Sequence, residues 1–187
     1  IFTFFGRPHR IPRSRAHSTK ERLRKNLIEL EKFKEGKEFV YFTAIDSDDM
    51  FHKDAVQEIQ CCDYKDNGAL YYPNTYVLDL RTQKMIDYYT KLKFCLPFYT
   101  LLFRGETFFD HEKHFEVIKN LENHLLVTRA FDAFRLKNGM CMMTIHGYNA
   151  SSRWGTVEKK RKVNGEEKLK VLKDFGLNNL KKNVDKQ

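Results

Sequence analysis

Leu23, Leu27 and Leu30 recur at the three- and four-residue spacing that lines up side chains on one face of a helix, just after Ser18-Thr19-Lys20-Glu21. In that tetrapeptide the Ser18 hydroxyl can accept from a first-turn amide while Glu21 reaches back, which predicts a helix start; Gly36 supplies the left-handed stop. Residues 39–45, Phe-Val-Tyr-Phe-Thr-Ala-Ile, are almost continuously apolar and rich in β-branched and aromatic types. Such a run predicts a strand covered on both faces, as in a parallel sheet. It gives way at once to Asp46-Ser47-Asp48-Asp49, and the carboxyl end of a buried strand is where open α/β sheets place their ligands.

A short helix is expected over 53–60, followed by a turn at Asp66-Asn67-Gly68 that leads into a strand at 69–72. Two stretches, 75–80 and 84–89, flank the polar Arg81-Thr82-Gln83 and fit either a hairpin or a strand followed by a helix. Residues 101–109, interrupted by Arg104-Gly105, suggest another hairpin, and 112–122 a helix. Asn138-Gly139 turns into an apolar strand at 140–145, which delivers His146-Gly147-Tyr148-Asn149 at its end. Leu169, Leu172 and Phe175 mark one side of a last amphipathic helix, stopped by Gly176. Strands and helices in this order predict an α/β fold, a mixed sheet flanked by helices. Residues 1–157 read as one domain and 158–187 as a basic carboxyl-terminal tail with a short helix.

Composition narrows the class. With 187 residues, 41% hydrophobic and 14% aromatic, the chain can bury an ordinary core, which excludes a largely disordered protein. No stretch reaches the roughly 20 consecutive apolar residues of a membrane span. The most apolar run, 94–103, is bounded by Lys93 and Arg104 and reads as core. Residues 1–5 begin with Ile and show neither a basic leader nor a small-residue cleavage site, so they read as the start of a fragment.

The net charge of +9 is unevenly laid. Residues 1–25 hold eight Lys/Arg against one acid, and 153–187 eleven against five, so the centre is net acidic. A nucleic-acid footprint would have to lie in the ends, which read first as solvated tails; nucleic acid is not the expected partner. Cys61, Cys62, Cys95 and Cys141 form no C-x-x-C pair and are expected to be reduced thiols, which points to a cytoplasmic location.

The candidate chemistry lies in two polar clusters. On an extended segment Asp46 and Asp48 would point alike and could converge on one hard cation, with Asp49 as a hydrogen-bond acceptor. Three carboxylates this close repel one another, and a divalent ion relieves the repulsion. With open positions left, such an ion suits a diphosphate, whose leaving-group charge it neutralises. The plainer reading is an acidic turn capping the next helix. His146 precedes a glycine that lets backbone approach a ligand, and its imidazole suits the same ion if the sheet carries it to Asp48; alone it reads as a structural histidine. His111-Glu112-Lys113-His114 is one residue short of the zinc-protease H-E-x-x-H, and neither G-x-S-x-G nor G-x-x-x-x-G-K occurs.

The strand at 39–45, Asp46-Ser47-Asp48-Asp49 and the following Asp54-Ala55-Val56 together resemble the D-x-D segment of GT-A glycosyltransferases, in particular a rhamnosyltransferase-like group. Leu96-Pro97-Phe98-Tyr99-Thr100-Leu101, followed by Glu106-Thr107-Phe108-Phe109 and a histidine, is similar to a downstream block of that group, and His146-Gly147-Tyr148-Asn149 resembles its late H-G-x-N element. The resemblance covers residues 39–155. It implies a hexosyl- or rhamnosyl-type transferase that moves a sugar from a nucleotide-sugar donor to a hydroxyl acceptor, a glycan or lipid-linked glycan, with Mn²⁺ or Mg²⁺. By position Asp48 would bind the metal, Asp46 the metal or donor ribose, and His146 would complete the metal site; Asp49 and Asn149 would be donor-side contacts. Glu106, Asp110 and Asp132 stay open as the general base. The GT-A fold opens with a strand-helix-strand unit, and fewer than fifty residues precede Asp46, so the resemblance implies a partial domain lacking its amino-terminal half, a fragment able to bind metal without turning over. Two readings of other classes compete: a basic nucleic-acid-binding module using Arg7, Arg10, Arg13, Arg15, Arg22, Arg24 and the 159–162 run, and a non-catalytic structural domain.

Overall fold

The computed structural model describes residues 16–46, 48–64, 66–89, 97–119, 126–146 and 160–183. Within these the fold is mixed α/β, with two mixed sheets and flanking helices, and the chain divides into two units of three segments each. The first unit is formed by residues 1–46, 63–71 and 91–135, the second by 47–62, 72–90 and 136–187.

In the first unit helix α1 (Ala16–Leu30) runs on into a 3₁₀ turn (Glu31–Phe33), and Gly36, with φ +68°, ends the segment as expected. Four strands follow in the spatial order β1 (Phe39–Ala44), β6 (Tyr99–Arg104), β3 (Gly68–Tyr71) and β7 (Ala133–Arg135). The β1–β6 and β6–β3 pairs are antiparallel and β3–β7 is parallel. Leu27, Tyr99, Leu101, Phe103, Phe108 and Val127 form the core against which Leu23, Leu30, Val40 and Phe42 pack.

The apolar run at 39–45 predicts a doubly covered strand of a parallel sheet, and here the structure differs. Strand β1 is an edge strand among the described residues, antiparallel to β6 and half-buried along most of its length. The continuously buried strand is β6, whose Tyr99 to Phe103 are all buried. The hairpin expected over 101–109 is likewise absent: β6 passes directly into helix α3 (Gly105–Phe108). Gly105 permits this, because a Cβ there would lie 2.2 Å from the Lys37 carbonyl oxygen, and its amide donates to Glu38 O at 2.7 Å. Helices α4 (His111–Ile118) and α5 (Val127–Ala130) complete the unit.

The second unit holds β2 (Met50–Phe51), β8 (Cys141–Ile145), β4 (Asn74–Asp79), β5 (Met85–Tyr89) and β9 (Arg161–Lys162), in that spatial order. Strands β8 and β4 are parallel; the other neighbours are antiparallel. The 75–89 stretch is therefore a hairpin, its turn carrying Gln83 at φ 54°. Helix α2 (Ala55–Gln60) follows β2, and helix α6 (Gly165–Asp174) packs Val171, Leu172 and Phe175 with Leu78, Met85, Met142 and Val163. Part of the 158–187 tail thus supplies a strand and a core-forming helix. Arg161 fastens this segment with Nη2 to Asp87 Oδ2 at 2.9 Å and to Glu167 Oε1 at 2.9 Å. None of Cys61, Cys62 and Cys141 is disulfide-bonded, and no described helix is long and apolar enough to cross a membrane.

Candidate functional site

Strand β2 is two residues long, yet it fixes the geometry of the acidic segment. It runs antiparallel to β8 with Met50 opposite Met142 and Phe51 opposite Cys141. In an antiparallel pair the residues before one strand lie beside those that end the other, so Asp48 and Asp49 come alongside Thr144 and His146. Two bonds hold them there. The Thr144 hydroxyl donates to Asp48 O at 2.6 Å, and the Thr144 amide donates to Asp49 Oδ1 at 3.3 Å. Thr144 is itself buried.

The sheet brings His146 to Asp48, 98 residues away in sequence, with Nε2 3.2 Å from Oδ2. An ionised carboxylate can only accept, so Nε2 carries the hydrogen and donates it. Each side chain is 34% exposed. Asp49 faces the Thr144 amide, while Asn149 lies outside the described residues.

Asp46 is exposed and closes the last residue of the first unit's opening segment, whereas Asp48 belongs to the second. The expectation that Asp46 and Asp48 point alike rested on an extended chain. Strand β1 ends at Ala44 and Asp48 lies in a turn, so strand alternation does not govern this segment. Among the described residues no group of three or more His, Cys, Asp or Glu side chains is placed to hold a metal ion.

The acidic segment is also not a helix cap. The next helix, α2, begins after Asp54, whose side chain makes no cap bond, and Asp48 and Asp49 are engaged by β8 instead. The three carboxylates left open as a base all lie in the first unit. Asp110 caps α4, accepting from the amides of Glu112 at 3.0 Å and Lys113 at 3.1 Å; these amides, the Lys113 bond foremost, hold its carboxyl below the usual range. Asp132 accepts from the Tyr64 hydroxyl at 3.0 Å. Glu106 is exposed in the first turn of α3.

Thr144 escaped the reading of sequence. Its signal was a hydroxyl inside the apolar Cys141-Met142-Met143-Thr144-Ile145, where a buried polar group must find a partner. The basic run near 160 is also committed: Lys160 lies over the Tyr88 ring, and Arg161 and Lys162 form β9.

Comparisons with protein-family models, with curated proteins and with solved structures find no match to this chain.

Proposed function

We propose that this chain is part of a GT-A-type, metal-dependent glycosyltransferase of the rhamnosyltransferase-like group, which moves a sugar from a nucleotide-sugar donor to a hydroxyl acceptor. The observation that carries the reading is the meeting of Asp48 Oδ2 and His146 Nε2 at 3.2 Å, from the two polar clusters that carry the sequence resemblance. An oxygen and an imidazole nitrogen form a donor pair suited to Mn²⁺, or with water to Mg²⁺. Asp49 and Asn149 are proposed as donor-side contacts.

The roles follow from the side chains. With the ring hydrogen on Nδ1, Asp48 Oδ2 and His146 Nε2 would each offer a lone pair to a cation held between them. Thr144 holds the Asp48 backbone through its hydroxyl. A bound cation would supply neutralisation of the departing diphosphate's charge.

Thermal melting with Mn²⁺ and a nucleoside diphosphate tests the proposal. At a hundredfold excess over Kd the wild type should gain roughly 5–11 °C. Asp48→Ala and His146→Ala should each lose most of that gain. No shift in the wild type, or an equal shift in both variants, removes the metal site.

A further inference from the structure

The dipeptide Asn-Gly occurs three times in the chain, at Asn67-Gly68, Asn138-Gly139 and Asn164-Gly165. An asparagine side-chain amide is open to attack by the next main-chain nitrogen, and a following glycine has no Cβ to hinder the approach. The same chemistry therefore stands in three environments, and folding decides where it can proceed.

Two of the three are held. Asn67 Oδ1 accepts from the Arg104 amide at 2.9 Å, which fixes the carbonyl that would be attacked, and Gly68 is buried in β3 with Asp132 O only 2.6 Å from where a Cβ would stand. At the second pair the nucleophile is occupied, because the Gly139 amide donates at 2.8 Å to Oδ1 of the buried Asn74. Asn164-Gly165 differs on each count. Asn164 is the N-cap of α6, yet its side chain makes no cap bond, and both residues are exposed. The Gly165 N–H belongs to the first helical turn, whose amides have no partner within the helix, and it finds no other among the described residues. No described atom lies within 4 Å of a Cβ built on Gly165, so the main chain has room to rotate.

We propose that Asn164 is a self-modifying site that deamidates through a cyclic imide, with water as the co-reactant. The Gly165 nitrogen bonds to Asn164 Cγ, the Cγ–Nδ2 bond breaks, and ammonia leaves with the proton that Gly165 gives up. Water then opens the ring, its hydroxyl going to a carbonyl carbon and its remaining hydrogen to the Gly165 nitrogen. Opening at Cγ yields aspartate; opening at the main-chain carbon yields isoaspartate, whose backbone is one carbon longer. That extra carbon falls directly after Val163, which is buried in one cluster with Leu78, Met85 and Met142 and whose amide donates to Met85 O at 3.0 Å. Either product also adds a negative charge beside Glu166 and Glu167. Modification thus acts on the joint between β9 and α6, and the inference uses no residue of the candidate metal site.

Ageing the full chain in neutral buffer, followed by mass spectrometry of tryptic peptides, tests the proposal. Each conversion adds about 1 Da, and the three pairs fall in separate peptides that begin at Asp66, Asn138 and Val163. In guanidinium chloride all three should convert at similar rates. In the folded protein Asn164 should stay within a few-fold of that rate, while Asn67 and Asn138, which must first open locally, should slow by at least about tenfold. Aged wild type should also melt below fresh protein, whereas aged Asn164→Gln, whose longer side chain closes the ring far more slowly, should not. Asn164 is exposed and makes no cap bond, so this substitution leaves the fold intact. Conversion of Asn67 or Asn138 as fast as Asn164 in the folded protein, or an equal loss of melting temperature in aged Asn164→Gln, would each overturn the proposal.

Discussion

Thr144→Val isolates the contact on which the candidate site is built. Valine keeps the shape of the buried side chain and removes only the O–H that donates to Asp48 O at 2.6 Å. A typical net hydrogen bond contributes about 1 kcal/mol, and an acceptor left buried without a donor costs about 1–3 kcal/mol. Asp48 is only half-buried, so the lower figure applies. For a chain of this size that corresponds to a fall of roughly 2–4 °C in melting temperature. The effect on the site should be larger than on the fold. Outer partners of metal ligands typically set affinity by about 10–100-fold, so the Mn²⁺ midpoint should rise by that factor while Thr144→Ser restores it. Differential scanning fluorimetry with a Mn²⁺ titration reads both quantities. A Thr144→Val protein with the wild-type Mn²⁺ midpoint, or a serine variant as impaired as valine, would refute the claim that this hydroxyl positions Asp48.

Two further outcomes are expected. Gly105→Ala must displace the Lys37 carbonyl from 2.2 Å and disturb the 2.7 Å bond to Glu38, costing about 2–4 kcal/mol, whereas Gly36→Ala meets nothing within 4 Å and costs only the left-handed conformation, about 1–2 kcal/mol. Urea unfolding should rank them in that order, and the reverse order would contradict the packing at the β6–α3 junction. His114 is buried against Phe103 and Phe108, with Nδ1–H donating to the Phe108 carbonyl at 3.0 Å; burial pushes its pKa below 6.5. The unfolded chain therefore binds the proton first, so His114's contribution is intact above about pH 6.5 and is lost as pH falls below it. His114→Gln should flatten that slope, measured as unfolding free energy at about pH 7.5 and about pH 5.5; an unchanged slope would mean that the ring is not held neutral.

Much of the chain's local structure was legible because single residues dictate it. Gly36 and Gly176 both take positive φ where the helical patterns end, and Asn138-Gly139 turns into β8 as its composition requires. Strand β1 misled because its apolar residues cover a core on one side and remain half-buried, a distinction that composition does not encode. Arg104-Gly105 looks like a turn, and only the close approach of Lys37 reveals why glycine is there. The two polar clusters stood out as strand endings, but the step that joins Asp48 to His146 depends on β2. A two-residue strand has no periodicity to read, and its register with β8 is set by pairing across about ninety intervening residues.

The order in which sheet strands are made has a consequence for biogenesis. Strand β8 sits between β2 and β4, and β9 closes the far edge on β5, yet β8 and β9 are translated last. A nascent chain therefore exposes β2, β4 and β5 with their central partner still unsynthesised, and high contact order slows the closure that follows. A ribosome stalled just before Cys141 would display unpaired strand edges, the natural substrate of a holdase chaperone.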